Sequence, residues 1–399
     1  MTAAKAPGVV LTSASAAQAA VSLVFFGLAA IGPELRIDYD MSLFALGAVL
    51  GAGVLGSGLA LVGAGILVDR VGSRRAILAG TALGAVGLVI AAFAPTTSTL
   101  FAAIALSGVG SAVVPIAGAG ALFAAYPPAG RGWALGVRQM SVPLGGTIAA
   151  LAYPALHALG GSELTLLVSA AAVAVTGLGF ALVVPGEPRA STGRIARPFR
   201  AILTGLGMRR LLGVAACYVV VLSALLAYVV PSVRAAGHSE LTASAAFFAV
   251  NVAAMVARIA WGKVADRHGG SRRVRTLVEV GVVALVGAVA FTLALHGPAL
   301  LVIVAAFAFA SGALGWNALV YVSAGERVDS ALAARSVAVA ATVVFVLGGL
   351  VTPVLGALAD VAGWDALWLT TAAIAGLGAL LAAGLPASRV PRRIAASEG

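Results

Sequence analysis

Long apolar runs separated by short polar stretches make up almost the whole chain. A helix needs about 20 apolar residues to cross the hydrocarbon core of a bilayer, and twelve runs reach that length. Because a backbone in lipid must satisfy its own hydrogen bonds, all twelve are predicted to be helices. We number them spans 1 to 12, and their predicted bounds are 13–33, 42–65, 76–94, 99–122, 133–157, 164–184, 210–231, 241–262, 275–295, 299–322, 335–358 and 365–385.

One longer polar stretch, 185–209, divides the spans into six and six. It carries several arginines against a single acid, Glu187. We therefore predict an all-α membrane protein with 12 transmembrane helices in two six-helix bundles. The predicted domains are an N-terminal bundle over 1–184, a basic cytoplasmic linker over 185–209 and a C-terminal bundle over 210–399.

The composition excludes an ordinary soluble protein. Of the 399 residues, 61% are hydrophobic and 10% are charged, whereas a soluble domain carries about 25% charged residues. The single cysteine, Cys217, excludes an intrachain disulfide, and four histidines with one cysteine give no metal-ligand spacing. No group of His, Asp and Glu converges, so we expect no metal, no cofactor and no enzyme. A channel or a membrane-bound enzyme is the least favoured class.

The net charge of +11 comes mainly from loops on one side of the membrane. On the other side the only basic loop residues are Arg36 and Arg234. The positive-inside rule makes the basic side cytoplasmic, with both termini inside and a multi-pass location in the cell membrane. The charge therefore indicates topology rather than nucleic-acid binding. The basic residues of the short loops are Arg70, Arg74, Arg75, Arg131, Lys263, Arg267, Arg272, Arg273, Arg275 and Arg327.

Two similar strings close the second span of each half. "GILVDRVGSRR" begins at Gly65 and "GKVADRHGGSRR" begins at Gly262, and they align with an offset of 197 residues. A parallel repeat of this kind predicts two bundles related by a pseudo-two-fold axis along the membrane normal. The second copy contributes Gly262, Asp266 and Arg267.

The first copy resembles the loop motif of the major facilitator superfamily, Gly-x-x-x-Asp-Arg-x-Gly-Arg-Arg, between spans 2 and 3. The matching residues are Gly65, Asp69, Arg70, Gly72 and Arg74. The resemblance covers essentially the whole chain and implies a transporter that works by alternating access. It also implies that Asp69 packs against span 11 and closes the cytoplasmic side. The alternative is that the arginines of the loop are topology signals only.

Two departures from the family pattern concern this motif. Ser73 stands where the motif has its first arginine after the second glycine, and "ALFAAYPPAGR" lacks the usual acid at the cytoplasmic end of span 4. We therefore expect the family's charge relay to be absent or rebuilt. Separately, three glycines of span 2 predict a flat face that lets another helix approach closely, although ordinary helix packing explains them equally well. They are Gly47, Gly51 and Gly58.

Two arginines fall inside predicted spans, Arg138 in span 5 and Arg258 in span 8. Each costs about 2.5–3.5 kcal/mol at a helix centre, and no acid lies at similar depth in either helix. Such cations suit an anionic substrate, because arginine binds carboxylates with two parallel hydrogen bonds. The alternative is that both side chains extend to the lipid headgroups. Further polar candidates for the site are Gln139, Asn251, Trp316 and Asn317.

The string around Arg258, "MVARIAWG", also resembles span 8 of monocarboxylate porters, where an arginine contacts the carboxylate. The acid that those porters hold one turn earlier is Ala254 here. We therefore predict a transporter of a small organic anion such as a carboxylate, working as a monomer, with coupling to a proton left open.

The alternative function is a multidrug or metabolite efflux proton antiporter of the same fold. Antiporters of this kind carry an arginine in span 4, where this chain has Ile104, and Gly-Pro in span 5, where it has Val142 and Pro143. Both departures count against the alternative.

Overall fold

The computed structural model describes residues 6–184, 207–266, 270–328 and 332–386. Every regular element in these ranges is a helix. Most of the predicted linker, 185–206, lies outside them, as does Arg267. The helices of the first half are Pro7–Gly27, Gly32–Asp38, Leu43–Val71, Ser73–Ala92, Thr97–Ser111, Val113–Ala125 and Pro128–Val183, with a 3₁₀ turn at Leu28–Ile31. Those of the second half are Met208–Ala235, Glu240–Asp266, Gly270–Ala294, Ala299–Ala313, Asn317–Glu326 and Ala333–Ala383.

Ten helical stretches of the described residues are long and apolar enough to cross a membrane. Two of them each hold two predicted spans. Pro128–Val183 turns back at Gly160 and Gly161, and Ala333–Ala383 turns back at Gly363. Gly161 and Gly363 have φ of 64° and 83°, a conformation that glycine adopts without steric cost. The predicted all-helical fold with twelve spans is therefore confirmed.

Spans 4 and 10 differ from their prediction as continuous helices. Span 4 ends one helix at Ser111 and begins the next at Val113, because Pro115 lies in the first turn of that second segment and has no N–H to continue the ladder. Span 10 breaks over 314–316. The two spans occupy equivalent places in the repeat, so each half has a broken helix near the middle of its fourth span.

The turns at 39–42, 93–96, 160–161, 236–239, 295–298 and 363 all lie on one side of the protein, which we call the acidic face. The opposite side carries Gly72, the turn at 126–127 and the end of span 10 at 327–328, and we call it the basic face. Gly72 is the single residue between spans 2 and 3, and its φ is 83°. The loop motif therefore turns on one glycine.

Spans 2 and 11 pack backbone to backbone near the acidic face. A methyl group at Gly51 would lie 2.5 Å from the carbonyl oxygen of Gly349, and one at Gly58 would lie 2.8 Å from Cβ of Phe345. The predicted flat glycine face of span 2 is confirmed, and span 11 is the helix that approaches it. Further along span 2, no atom lies within 4 Å of a methyl group placed at Gly63 or Gly65. The two halves thus meet at the acidic face, and these two helices separate toward the basic face.

Candidate functional site

Arg258 bridges the two halves of the chain. It lies on span 8, is partly buried, and donates from Nη1 to the backbone carbonyl of Gln139 in span 5 at 2.8 Å. Its Nε is buried and has no hydrogen-bond partner among the described residues. The Gln139 side chain is exposed, so the contribution of this residue in the structure is its carbonyl.

The break in span 10 lies beside span 8. Trp261, one turn after Arg258, donates from its indole N–H to the carbonyl of Ser311 at 2.8 Å and fills the space left by Gly315. The second segment begins at Asn317, whose Oδ1 is buried without a hydrogen-bond partner in the described structure. A helix start here places free backbone N–H groups inside the membrane.

Tyr321 was not among the predicted site residues. It lies four residues after Asn317, so the two side chains share one face of the helix. Tyr321 is also within electrostatic reach of Arg258. The available signal was this helical spacing between two polar residues in an otherwise apolar span. Arg258, Tyr321 and Asn317 together place a cation, a hydroxyl and an amide on the facing sides of spans 8 and 10.

Trp316 lies away from this group, in the core of the second half. Its side chain is fully buried, its indole N–H donates to the carbonyl of Ala313 at 2.9 Å, and its ring packs against Tyr218 with centroids 5.9 Å apart. The geometry of Trp316 is that of a packing residue next to the break.

Arg138 is held inside the first half. It is 5% exposed and donates from Nη1 to Oε1 of Gln18 in span 1 at 3.0 Å. On its other side it packs against Gly118 of span 4, where a methyl group would lie 3.1 Å from Nη1. Its Nε has no hydrogen-bond partner in the described ranges. The two arginines therefore have partners on different helices, although Arg138 directly precedes Gln139.

Asn251 lies where spans 5 and 8 touch. It is 2% exposed, and its Nδ2 donates to the carbonyl of Phe247 one turn earlier at 2.9 Å. Its Oδ1 lies against Gly146, only 2.1 Å from where a methyl group would be. A methyl at the neighbouring Gly145 would lie 2.4 Å from the carbonyl of Ala19 in span 1. The glycine pair thus lets span 5 pack closely against spans 1 and 8 at once.

Neither Arg138 nor Arg258 forms an ion pair with an acid in the described part of the chain. A guanidinium in hydrocarbon without a carboxylate is costly, and removing a counter-ion from such a group leaves its charge uncompensated. The site therefore has chemical capacity for an anionic group. Arg258 is the better placed of the two, because Arg138 is almost fully enclosed.

The charged residues in the first copy of the loop motif are exposed at the basic face. Asp69, Arg70 and Arg74 are exposed, and within the described residues Asp69 makes no hydrogen bond or ion pair. A methyl group at Gly262 would have no atom within 4 Å. Asp266 is the last residue of its helix, whereas Arg267 lies outside the described ranges.

The fold is shared with solved transporter structures. It matches a D-xylose-proton symporter at 14% identity and a TM-score of 0.79, over 96% of this chain and 99% of that chain. A bacterial homolog of the human lysosomal transporter Spinster, in an inward-facing and occupied conformation, matches at 17% identity and 0.77, over 94% and 95%. A mutant of the nucleoside transporter NupG matches at 14% identity and 0.74, over 94% and 99%.

Identities this low show the fold and do not name a substrate. No curated protein sequence matches the chain. The sequence model of the Major Facilitator Superfamily, however, matches residues 14–353, which is most of the chain and includes both copies of the loop motif. The chain therefore belongs to the Major Facilitator Superfamily.

Proposed function

We propose that this transporter moves a small organic anion, such as a carboxylate, by alternating access. The observation that carries the proposal is Arg258, a cation without an acidic partner at the contact between the two halves, beside the broken span 10. A carboxylate would accept two parallel hydrogen bonds from its guanidinium. The helix start at Asn317 favours negative charge in the same region.

The contact between Arg258 and Gln139 suggests how binding is linked to movement. We infer that a carboxylate bound end-on to the Arg258 guanidinium, through Nη1 and Nη2, displaces the Gln139 carbonyl from Nη1. Because that carbonyl belongs to the other half, its replacement by substrate removes one bond between the halves. Substrate binding then lowers the cost of moving them apart, which is how a ligand shifts a conformational equilibrium.

Replacing Arg258 tests this function. Arg258→Lys is expected to weaken carboxylate binding to the purified protein by at least about tenfold, about 1.4 kcal/mol, because an ammonium cannot replace the planar fork. Arg258→Ala should weaken it further without reducing the folded protein in the membrane, since it removes an uncompensated charge. Arg138→Ala is expected to raise the apparent substrate constant more than it lowers the maximal rate.

The matched control is Arg275→Lys, at a position where the side chain is 74% exposed. It should bind like the unmodified protein. Equal affinity of the arginine, lysine and alanine forms at position 258 would end the anion-site proposal. Transport of cationic drugs without any transport of carboxylates would favour the efflux antiporter instead.

We also propose that the basic face is cytoplasmic, with both termini inside the cell membrane. The support is the charge of the loops, as the positive-inside rule requires. In a Cys217→Ser background, Ser73→Cys should resist a membrane-impermeant thiol reagent added to intact cells. Leu241→Cys, at an acidic-face position that is 79% exposed, should react. Rapid labelling at 73 with protection at 241 would reverse the orientation.

The bundles 1–184 and 210–399 are proposed to move as two units about the linker 185–209. The chain is proposed to act as a monomer, because one copy supplies both sides of the Arg258 contact. We assign Asp69 to a latch that closes the basic face. Its exposure and its lack of a partner among the described residues agree with a state in which that face is open.

A further inference from the structure

Asp360 caps a helix that belongs to the other half of the molecule. It lies near the acidic-face end of span 11, and its two carboxylate oxygens accept from the backbone N–H groups of Leu43 and Phe44, each at 3.0 Å. These are the first two amides of span 2, which have no partner within their own helix. One side chain thus satisfies two groups across the contact between the halves.

The local sequence of span 2 leaves these two amides for Asp360. Ser42 is the N-cap, and its hydroxyl accepts from the N–H of Ala45 at 3.2 Å, so the local cap serves the third amide and not the first two. A carboxylate at a helix start also interacts favourably with the helix dipole. In the described residues Asp360 forms no ion pair.

Tyr228 of span 7 completes the same contact. Its hydroxyl donates to the carbonyl of Thr352 in span 11 at 2.7 Å and lies 3.3 Å from the carbonyl of Leu43. Gly356 makes room for the approach, because a methyl group there would lie 2.1 Å from the Leu43 carbonyl. We call Asp360, Tyr228 and the capped residues Leu43 and Phe44 the acidic-face clasp.

We propose that the acidic-face clasp holds the acidic face shut and sets how often it opens. When the halves separate at this face, the two hydrogen bonds between the amides and the Asp360 carboxylate break. Both partners then form hydrogen bonds to water instead. The charge–dipole attraction is then lost, because it falls off within the first turn of the helix. The Asp360 bonds join the two halves and lie inside neither of them, so the clasp acts on the equilibrium between states and not on folding.

The test measures the distance between the halves at the acidic face. Spin labels go at Ile37 and Leu241, which are 82% and 79% exposed on opposite halves, in a Cys217→Ser background. Asp360→Asn keeps the size of the side chain but removes the charge and one acceptor. Distances are measured by pulsed electron paramagnetic resonance in lipid nanodiscs without any substrate. The population of long distances in Asp360→Asn is expected to be about 2- to 30-fold larger than in the protein that keeps Asp360, which is the range of helix-cap effects.

Asp365→Asn is the matched control, because Asp365 lies five residues later on the same face. Its one ion pair within the described ranges is with His296, at 3.3 Å, and both side chains are exposed. It should leave the distances unchanged. If Asp360→Asn does not give monodisperse protein, Tyr228→Phe decides in the same assay, since it removes a single hydroxyl. Distances in the clasp variant equal to those of the control would overturn the proposal. Because no substrate is present, this outcome is independent of whether the cargo is an anion.

Discussion

Gly51→Val is expected to abolish transport while leaving the protein folded in the membrane. A methyl group at Gly51 would lie 2.5 Å from the carbonyl oxygen of Gly349 and 3.3 Å from its Cα. Both are backbone atoms of the other half, so no side-chain rotation relieves the overlap. The acidic face therefore cannot close to the arrangement seen here, and a carrier that cannot close one face cannot complete its cycle.

The size of the effect follows from overpacking. At about 3 kcal/mol, the upper part of the usual range, the closed population falls about 100-fold. The measurements are uptake into proteoliposomes and the distance between labels at Ile37 and Leu241, which should shift to long values. Gly179→Val is the control, because no atom lies within 4 Å of a methyl group there. Transport by Gly51→Val within about twofold of the control, or unchanged label distances, would contradict this account.

The pattern of the sequence was sufficient to predict the spans and their arrangement in two halves. The length of an apolar run is almost sufficient to predict a membrane-spanning helix. The bilayer has a fixed thickness, and few other backbone conformations are stable inside it. The paired strings at Gly65 and Gly262 predicted the repeat. The glycine spacing of span 2 predicted a close approach, but not its partner, since a flat face specifies nothing about the helix that covers it.

The details inside the spans depend on tertiary contacts that leave no local pattern in the sequence. Pro115 indicates a break in span 4 only when its position in the first turn of Val113–Ala125 is known. The break before Asn317 in span 10 causes no change in hydropathy that would predict it. The partner of Arg138 is Gln18, 120 residues away, and a pairing at that separation leaves no local pattern. The role of Asp360 has no local pattern for the same reason. Its partners are two backbone amides of span 2, which carry no side-chain signature at all.

Spans 2 and 11 are in close contact at one end and apart at the other. Near the acidic face the backbones touch and Asp360 caps span 2. Toward the basic face the same helix has open space around Gly63 and Gly65, and Asp69 is exposed. Rocking of the halves about the middle of these helices would exchange the two conditions. In the proposed cycle, Asp360 stabilises the closed acidic face, Asp69 stabilises the closed basic face, and Arg258 binds the substrate between them.

A valine in place of a different glycine separates folding from movement. Gly108→Val is expected to reduce the amount of folded protein itself. A methyl group at Gly108 would lie 2.1 Å from the carbonyl oxygen of Gly53, and both residues belong to the first half. Spans 2 and 4 pack together inside one bundle, so this contact is needed whichever face is open. Neither state accommodates the added atoms, and the whole cost, at least about 3 kcal/mol, falls on stability.

The measurement is the monodisperse fraction after extraction and the midpoint of thermal unfolding, with Gly51→Val and Gly179→Val prepared in parallel. We expect Gly108→Val to yield at least about fivefold less monodisperse protein, as a loss of this size predicts for a marginally stable fold. Gly51→Val should match the Gly179→Val control in amount while failing in transport. If Gly108→Val is as abundant and as stable as Gly51→Val, the distinction between contacts within a half and contacts between halves is wrong. The rigid-bundle description of the movement would then have to be abandoned.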